Sequence, residues 1–351
     1  MMDTMRRLAS LTLVFVAAMS ADARASVLVV SNRTEKPVAL RLASLTSAAG
    51  QLTPTVDAGD SLPLPLDGIG RLGFMSAGNP KTYRVQSGGV YYLHEVDENQ
   101  LELGRIGLST PVVRKGEKSS NTVGQPPDAV VVPVKVLYDD AEVATHARWE
   151  ARIRERFEHA SAILRKHCFV EFHVVAVDRW KSDEPRATSL GAALKEFEQV
   201  VDPAPGHLAI GFTGRQATQF DRAFSGARGP LHSHLLLRES HEKTDHEQLE
   251  QLVHALAHYL GAAHSPENHS VMRTKLNDHQ ARSAGHRIVF DPLNTMAMCL
   301  VSEELRGDPR LHFGDVSAAA RDELQRIYVE LARLDRRDKT AAAYLRRLGQ
   351  N

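Results

Sequence analysis

From Val27 to about Leu108 the apolar positions come in short runs. They are Val27-Leu28-Val29-Val30, Val38-Ala39-Leu40-Arg41-Leu42, Ser61-Leu62-Pro63-Leu64-Pro65-Leu66 and Gly89-Val90-Tyr91-Tyr92-Leu93, separated by turns rich in Asn, Gly, Pro and Asp. Runs of this length between such breakers read as strands, so residues 26–109 are expected to form a small all-β domain of sandwich type. The stretch that follows carries Lys115, Lys118, Ser119, Ser120, Pro126 and Pro127, and reads as a linker over 110–127.

Beyond residue 128 the texture changes to alternating strands and helices. Val130 to Tyr138 is a nearly continuous apolar run suited to a buried strand. Trp149, Ile153, Phe157, Ala160 and Leu164 then recur every three or four residues, which predicts a long amphipathic helix between about Glu142 and Lys166. Strands are expected over Val170–Val177, His207–Phe212 and Leu231–Arg238, with a helix over Leu190–Val200. Near the end, Leu324, Ile327, Leu331 and Leu334 fall on one helical face of an Arg-rich surface helix. No internal repeat or low-complexity segment interrupts the chain.

Composition adds the compartment and removes some partners. Arg6 and Arg7 precede an apolar stretch from Leu8 to Met19, and Ala23-Arg24-Ala25 is a small-x-small site before Ser26. This is the form of a signal peptide, so residues 1–25 are expected to be removed on export, secreted or periplasmic, leaving no membrane span. The 351 residues carry 43 Lys plus Arg against 43 Asp plus Glu. A balanced charge with no long single-sign run points away from nucleic acid as a partner. Cys168 and Cys299 leave two readings open: one disulfide, or two buried thiols.

Thr244-Asp245-His246-Glu247 has the capping-box form, a hydroxyl with Glu three residues on, so a helix is expected to start near residue 245. Leu249, Leu252, Val253, Leu256 and Leu260 supply its buried stripe. His254 and His258, four apart, project from one face of that helix. Gly261 can take the left-handed conformation that ends a helix, and the reversal can bring His264 round as a third ligand. With 17 His in 351 residues, three at fixed offsets arise by chance in about 4% of such chains, and Gly at the turn lowers that to about 0.3%. The pattern therefore carries weight on its own.

His254-x-x-x-His258-x-x-Gly261-x-x-His264, followed by Ser270-Val271-Met272, resembles the zinc site and Met-turn of the metzincin endopeptidases. The likeness in element order spans roughly residues 128–345, and the specific motif spans 254–272. It implies an α/β or α+β zinc domain over 128–351, with a mixed twisted sheet and long helices. It implies further that His254, His258 and His264 hold Zn2+, with Met272 as an apolar floor beneath it. Three His and an open fourth position is the catalytic form of a zinc site. In the family an edge strand before the helix pairs with extended peptide; His232 to Arg238 stands in that place, and His232 and His234 are expected to line one of its faces.

One position departs from the family. Ala255 stands where the family carries the glutamate that accepts the attacking water's proton and passes it to the leaving amine. General acid-base catalysis is typically worth about 10²–10⁴-fold, so peptide hydrolysis is expected to be severely impaired. Glu250, one turn before His254, and Glu267, shortly after His264, are the carboxylates available as substitutes. Glu250 is expected instead to orient an imidazole or to be solvated. Three functions follow: an exported metallopeptidase working with a substitute base, a zinc-dependent module that binds extended peptide or protein without cutting it, and a zinc that merely ties helix to loop.

Overall fold

In a computed structural model the described residues are 27–45, 50–108, 123–139, 144–181, 189–214, 225–240, 242–276 and 286–349. The expected export segment and most of the expected linker lie outside them, as does residue 142, where the first long helix was expected to begin. The first half forms β1 (Val27–Asn32), β2 (Arg41–Ser44), β3 (Gln51–Leu52), β4 (Ser61–Pro65), β5 (Ile69–Ser76), β6 (Asn79–Gln86), β7 (Val90–Asp97) and β8 (Gln100–Arg105). These make two four-stranded sheets, ordered β8-β7-β1-β4 and β3-β2-β5-β6. The β5–β6 hairpin, absent from the sequence reading, turns through Ala77 and Gly78, both with positive φ. Alanine at such a position leaves none of the usual Asn-Gly signal for a tight hairpin.

Every residue of β1 is buried, because both faces of the strand are covered. Leu28 and Val30 point between the two sheets with Leu42, Leu64, Leu72 and Phe74. Val27 and Val29, with Val90, belong to the large core of the second half. The first sheet is therefore covered by a helix on its outer face rather than by water.

The second half contains β9 (Val130–Tyr138), α1 (His146–Cys168), β10 (Val170–Arg179), α2 (Leu190–Val200), β11 (Leu208–Thr213), β12 (Ser225–Ala227), β13 (His234–Arg238) and α3 (Asp245–Tyr259). It closes with α4 (Pro292–Gly307), α5 (Ala318–Leu334) and α6 (Thr340–Leu348). The sheet order is β10-β9-β11-β13-β12, parallel except for β12, which runs antiparallel to β13. Leu137, Ala209 and Leu236 meet α2 on one face, while Val132, Val134 and Val136 meet α1 and α3 on the other. The fold is thus mixed α and β, with an N-terminal all-β part and a twisted mixed sheet between helices.

Several expectations change. The strand ending at Arg238 is not the sheet edge: β13 is paired on both sides, and among the described residues β12 lies outermost. His232 precedes that strand rather than lining it. Leu334 is exposed, so the buried stripe of α5 stops at Leu331. Helices α4 and α6 were not foreseen. Cys168 and Cys299 are both free and buried, and burial pushes both thiols up. No helix among the described residues is long and apolar enough to cross a membrane.

Candidate metal centre

The capping box forms as expected: Thr244 Oγ1 accepts from the Glu247 amide at 3.3 Å, and Glu247 Oε2 accepts from the Thr244 amide at 2.6 Å. This satisfies two amides that the first turn of a helix leaves without partners. The helix it starts, α3, is buried along most of its length, and His254 is 1% exposed. At Gly261 the chain turns with φ at +89°, and a Cβ there would lie 2.9 Å from Val301 Cγ2. Both the conformation and the space require glycine. Beyond the turn, Asn294 fixes the next residues by accepting from the Ala263 amide and donating to the Ala263 carbonyl, each at 2.8 Å. That pair of bonds sets the backbone immediately before His264.

The three rings meet. Ring centroids lie 4.5 Å apart for His254 and His258, 4.9 Å for His258 and His264, and 5.4 Å for His254 and His264. One nitrogen from each ring falls within 4.8 Å of the other two. Among the described residues no other group of three or more His, Cys, Asp or Glu is so placed.

Each Nδ1 is engaged away from the meeting point. His254 Nδ1 lies 2.8 Å from the Val271 carbonyl, and His258 Nδ1 lies 2.7 Å from the Ala262 carbonyl. His264 Nδ1 lies 2.7 Å from Asp338 Oδ2 and 3.0 Å from Thr340 Oγ1. Carbonyl and carboxylate oxygens only accept, so these contacts assign the ring proton to Nδ1 and leave a lone pair on each Nε2. The Nε2 atoms of His258 and His264 then face one another at 3.3 Å as two acceptors. That arrangement repels unless a proton or a cation lies between them. Burial disfavours the proton: desolvation first, then the neighbouring His264, lowers His258 to about 3, and desolvation with the other two rings lowers His254 well below its ordinary value.

The donor set fits a metal ion. Three neutral imidazoles around a tetrahedral ion with Zn–N near 2.05 Å would place their nitrogens about 3.3 Å apart, which is the spacing of the His258 and His264 Nε2 atoms. Outer partners on the second nitrogen are the usual companions of metal-ligating histidine. The His264 side chain keeps 21% of its exposure, so the centre is reached from solvent on that side.

Met272 is fully buried in the same core as the helix, and its segment supplies the Val271 carbonyl that holds His254. Ser270 Oγ braces that segment, donating to Asp291 Oδ2 at 2.9 Å and accepting from the Met272 amide at 3.1 Å. Ala255 is buried among apolar neighbours. Neither substitute carboxylate is free to replace a base there. Glu250, expected to be solvated or to orient an imidazole, is buried in an ion pair with Arg273 at 2.7 Å and contacts His286 at 3.2 Å. Glu267 pairs with Arg33 at 3.1 Å and with His269 at 3.5 Å.

His232 and His234 take no part in the cluster. His234 Nε2 meets the Val201 carbonyl at 2.9 Å, and His232 lies 3.8 Å from Glu198. Asp338, Thr340 and Tyr344 escaped the sequence reading. Tyr344 Oη lies 3.2 Å from His258 Nδ1 and Tyr328 Oη donates to the Gly261 carbonyl at 2.6 Å. Nothing in the spacing of these residues marks them, since they approach from more than 60 positions away and only the tertiary fold delivers them.

No protein-family model and no curated protein matches the chain. Among solved structures it is similar to archaemetzincin from Methanopyrus kandleri, at 17% identity over 47% of this chain and 93% of that one, with a TM-score of 0.34. It is also similar to metalloproteinase-II from Bacteroides fragilis, at 13% identity over 78% of this chain and 98% of that one, with a TM-score of 0.34. At this level the similarity assigns no residue and no activity, and the metal centre rests on its own geometry.

Proposed function

We propose that this chain is an exported zinc protein of metallopeptidase type, which binds extended peptide or protein at its metal and hydrolyses it poorly because Ala255 replaces the general base. The observation that carries the reading is the convergence of three Nε2 lone pairs whose Nδ1 atoms are already committed to acceptors. His254, His258 and His264 would hold Zn2+, and the metal, when bound, would supply Lewis acidity toward a peptide carbonyl.

The remaining chemistry belongs to the chain. Val271, Ala262 and Asp338 hold each imidazole in the tautomer that presents Nε2. The outermost strand β12 packs beside α3, and its outer edge offers backbone groups to which an extended segment could add. A buried methyl at position 255 can neither accept the proton of attacking water nor deliver one to the departing amine. Glu250 and Glu267 are held by cations elsewhere. A zinc that served only as a tie would be expected to have all its ligands sealed, whereas His264 is partly open.

The test compares the mature protein with Ala255→Glu. Each is assayed for bound zinc and for cleavage of an unfolded protein substrate. Restoring the carboxylate is expected to raise the rate by about 10²–10⁴-fold, with chelator abolishing it. A parent protein that already cleaves as fast as Ala255→Glu, and stops on chelation, would overturn the impairment.

A further inference from the structure

The three ligands are not supported alike. His254 and His258 donate to main-chain carbonyls at Val271 and Ala262, within the metal-binding segment and the turn that follows it. The Nδ1 of His264, the most exposed of the three, meets instead side chains from the far end of the chain, Asp338 and Thr340. The Asp338 carboxylate is itself fixed: Oδ1 accepts from the Thr340 amide at 2.8 Å while Oδ2 meets His264 at 2.7 Å. Helix α6, which starts at Thr340, is docked by buried Ala341, Tyr344 and Leu348. The Tyr344 ring packs on Tyr328 at 5.5 Å and on Phe313 at 6.1 Å, and its hydroxyl reaches His258.

We infer that residues 338–348 form a latch on the metal centre, in which Asp338 is the positioning residue for His264 and docking of α6 is coupled to metal binding. The inference rests on the metal reading above and adds to it a part of the chain outside the ligand motif. With α6 undocked, His264 would lose both partners of its Nδ1, and its ring would be free to turn Nε2 away from the other two. A bound metal would conversely hold His264 in the position that Asp338 and Thr340 recognise. Coupling of this kind is reciprocal: whatever docking adds to metal affinity, metal adds to docking.

Zinc affinity of the full mature chain, measured by competition with a chromophoric chelator, tests this together with amide hydrogen exchange over residues 338–348. Asp338→Ala is expected to bind zinc about 10–100-fold more weakly, with a small drop in the melting temperature of the metal-free protein from the lost bond to the Thr340 amide. Asp338→Asn keeps the shape and one accepting oxygen, and is expected to recover part of that loss. Zinc is expected to slow exchange in α6 of the parent protein and to do so less in Asp338→Ala. If Asp338→Ala destabilises the metal-free fold, Thr340→Val and Asp338→Asn carry the same comparison with less disturbance. Unchanged zinc affinity in these variants, or α6 exchange indifferent to zinc in the parent, overturns the latch and leaves the metal reading standing. A parent chain that takes up no zinc overturns both, and does so at the first titration.

Discussion

The candidate metal centre has an inner part and an outer part, and they are built differently. The inner part, His254 to His264, is eleven consecutive positions on one helix and one glycine turn. The outer part gathers Val271, Asn294, Asp338 and Tyr344 from segments up to 86 positions from the residue each contacts, a histidine of the cluster or, for Asn294, the neighbouring Ala263. The three histidines can therefore be read from spacing, because helical geometry and the glycine turn alone bring them together. Asn294, Asp338, Thr340 and Tyr344 cannot, because their arrival depends on how α4, α5 and α6 pack.

If the outer part matters to the centre, damage there should be measurable although no ligand is touched. The largest effect is expected far from the metal, where the N-terminal sheets dock on α1. Asp60 is buried against His167 at 2.8 Å and against Lys166 at 2.7 Å. Burial by itself would raise the Asp60 carboxyl, yet His167 and Lys166 together hold it far below the ordinary carboxylate range. Asp60→Ala is expected to cost about 3–5 kcal/mol in urea unfolding, since it leaves His167 buried beside an empty site. The sign with pH follows from the lowered value. The Asp60 contribution is complete above the ordinary carboxylate range and is lost as pH falls through that range toward the folded-state value. The acid limb of the stability curve should therefore flatten in the variant; a limb as steep as the parent's would show that Asp60 is not its source.

Asn294→Ala comes next. It strips partners from the buried amide and carbonyl of Ala263, and unmade buried hydrogen bonds cost about 1–3 kcal/mol each. A loss of about 2–4 kcal/mol is expected, with zinc affinity falling alongside because the chain entering His264 is no longer fixed. A variant as stable as the parent would mean that the turn at Gly261 holds His264 unaided. The smallest effect is expected for Arg33→Ala. The Arg33 side chain is 40% exposed in its pair with Glu267, and exposed pairs are worth under about 1 kcal/mol. A large loss of zinc affinity there would assign the N-terminal sheets a direct part in holding the ligand loop.

The same division explains what the sequence could and could not convey about the fold. The capping box at Thr244 and Glu247, the stripe of α1 and the apolar run of β9 were legible, since each is a local pattern with a local cause. Helix α4 was not. It lies between the first N-terminal sheet and the other helices, and nearly every residue from Pro292 to Ser302 is buried, so no polar face alternates with an apolar one to mark the period. The edge strand β12 consists of Ser225, Gly226 and Ala227, residues without strand preference that are held there by pairing to β13. That is why the edge was assigned one strand too far in. Helix α6 spans only 9 residues, too few to set its period apart from the longer stripe of α5, so Asp338, Thr340 and Tyr344 go unmarked with it.

Everything proposed for this site depends on three imidazoles sharing one ion through Nε2. Zinc K-edge absorption on the purified protein, after metal analysis, reads it out. The expected result is one zinc per chain with three nitrogen neighbours at about 2.0–2.1 Å and the multiple scattering of imidazole. A protein that retains no zinc, or a zinc whose neighbours are oxygens with fewer than three imidazoles among them, would rule out the shared ion.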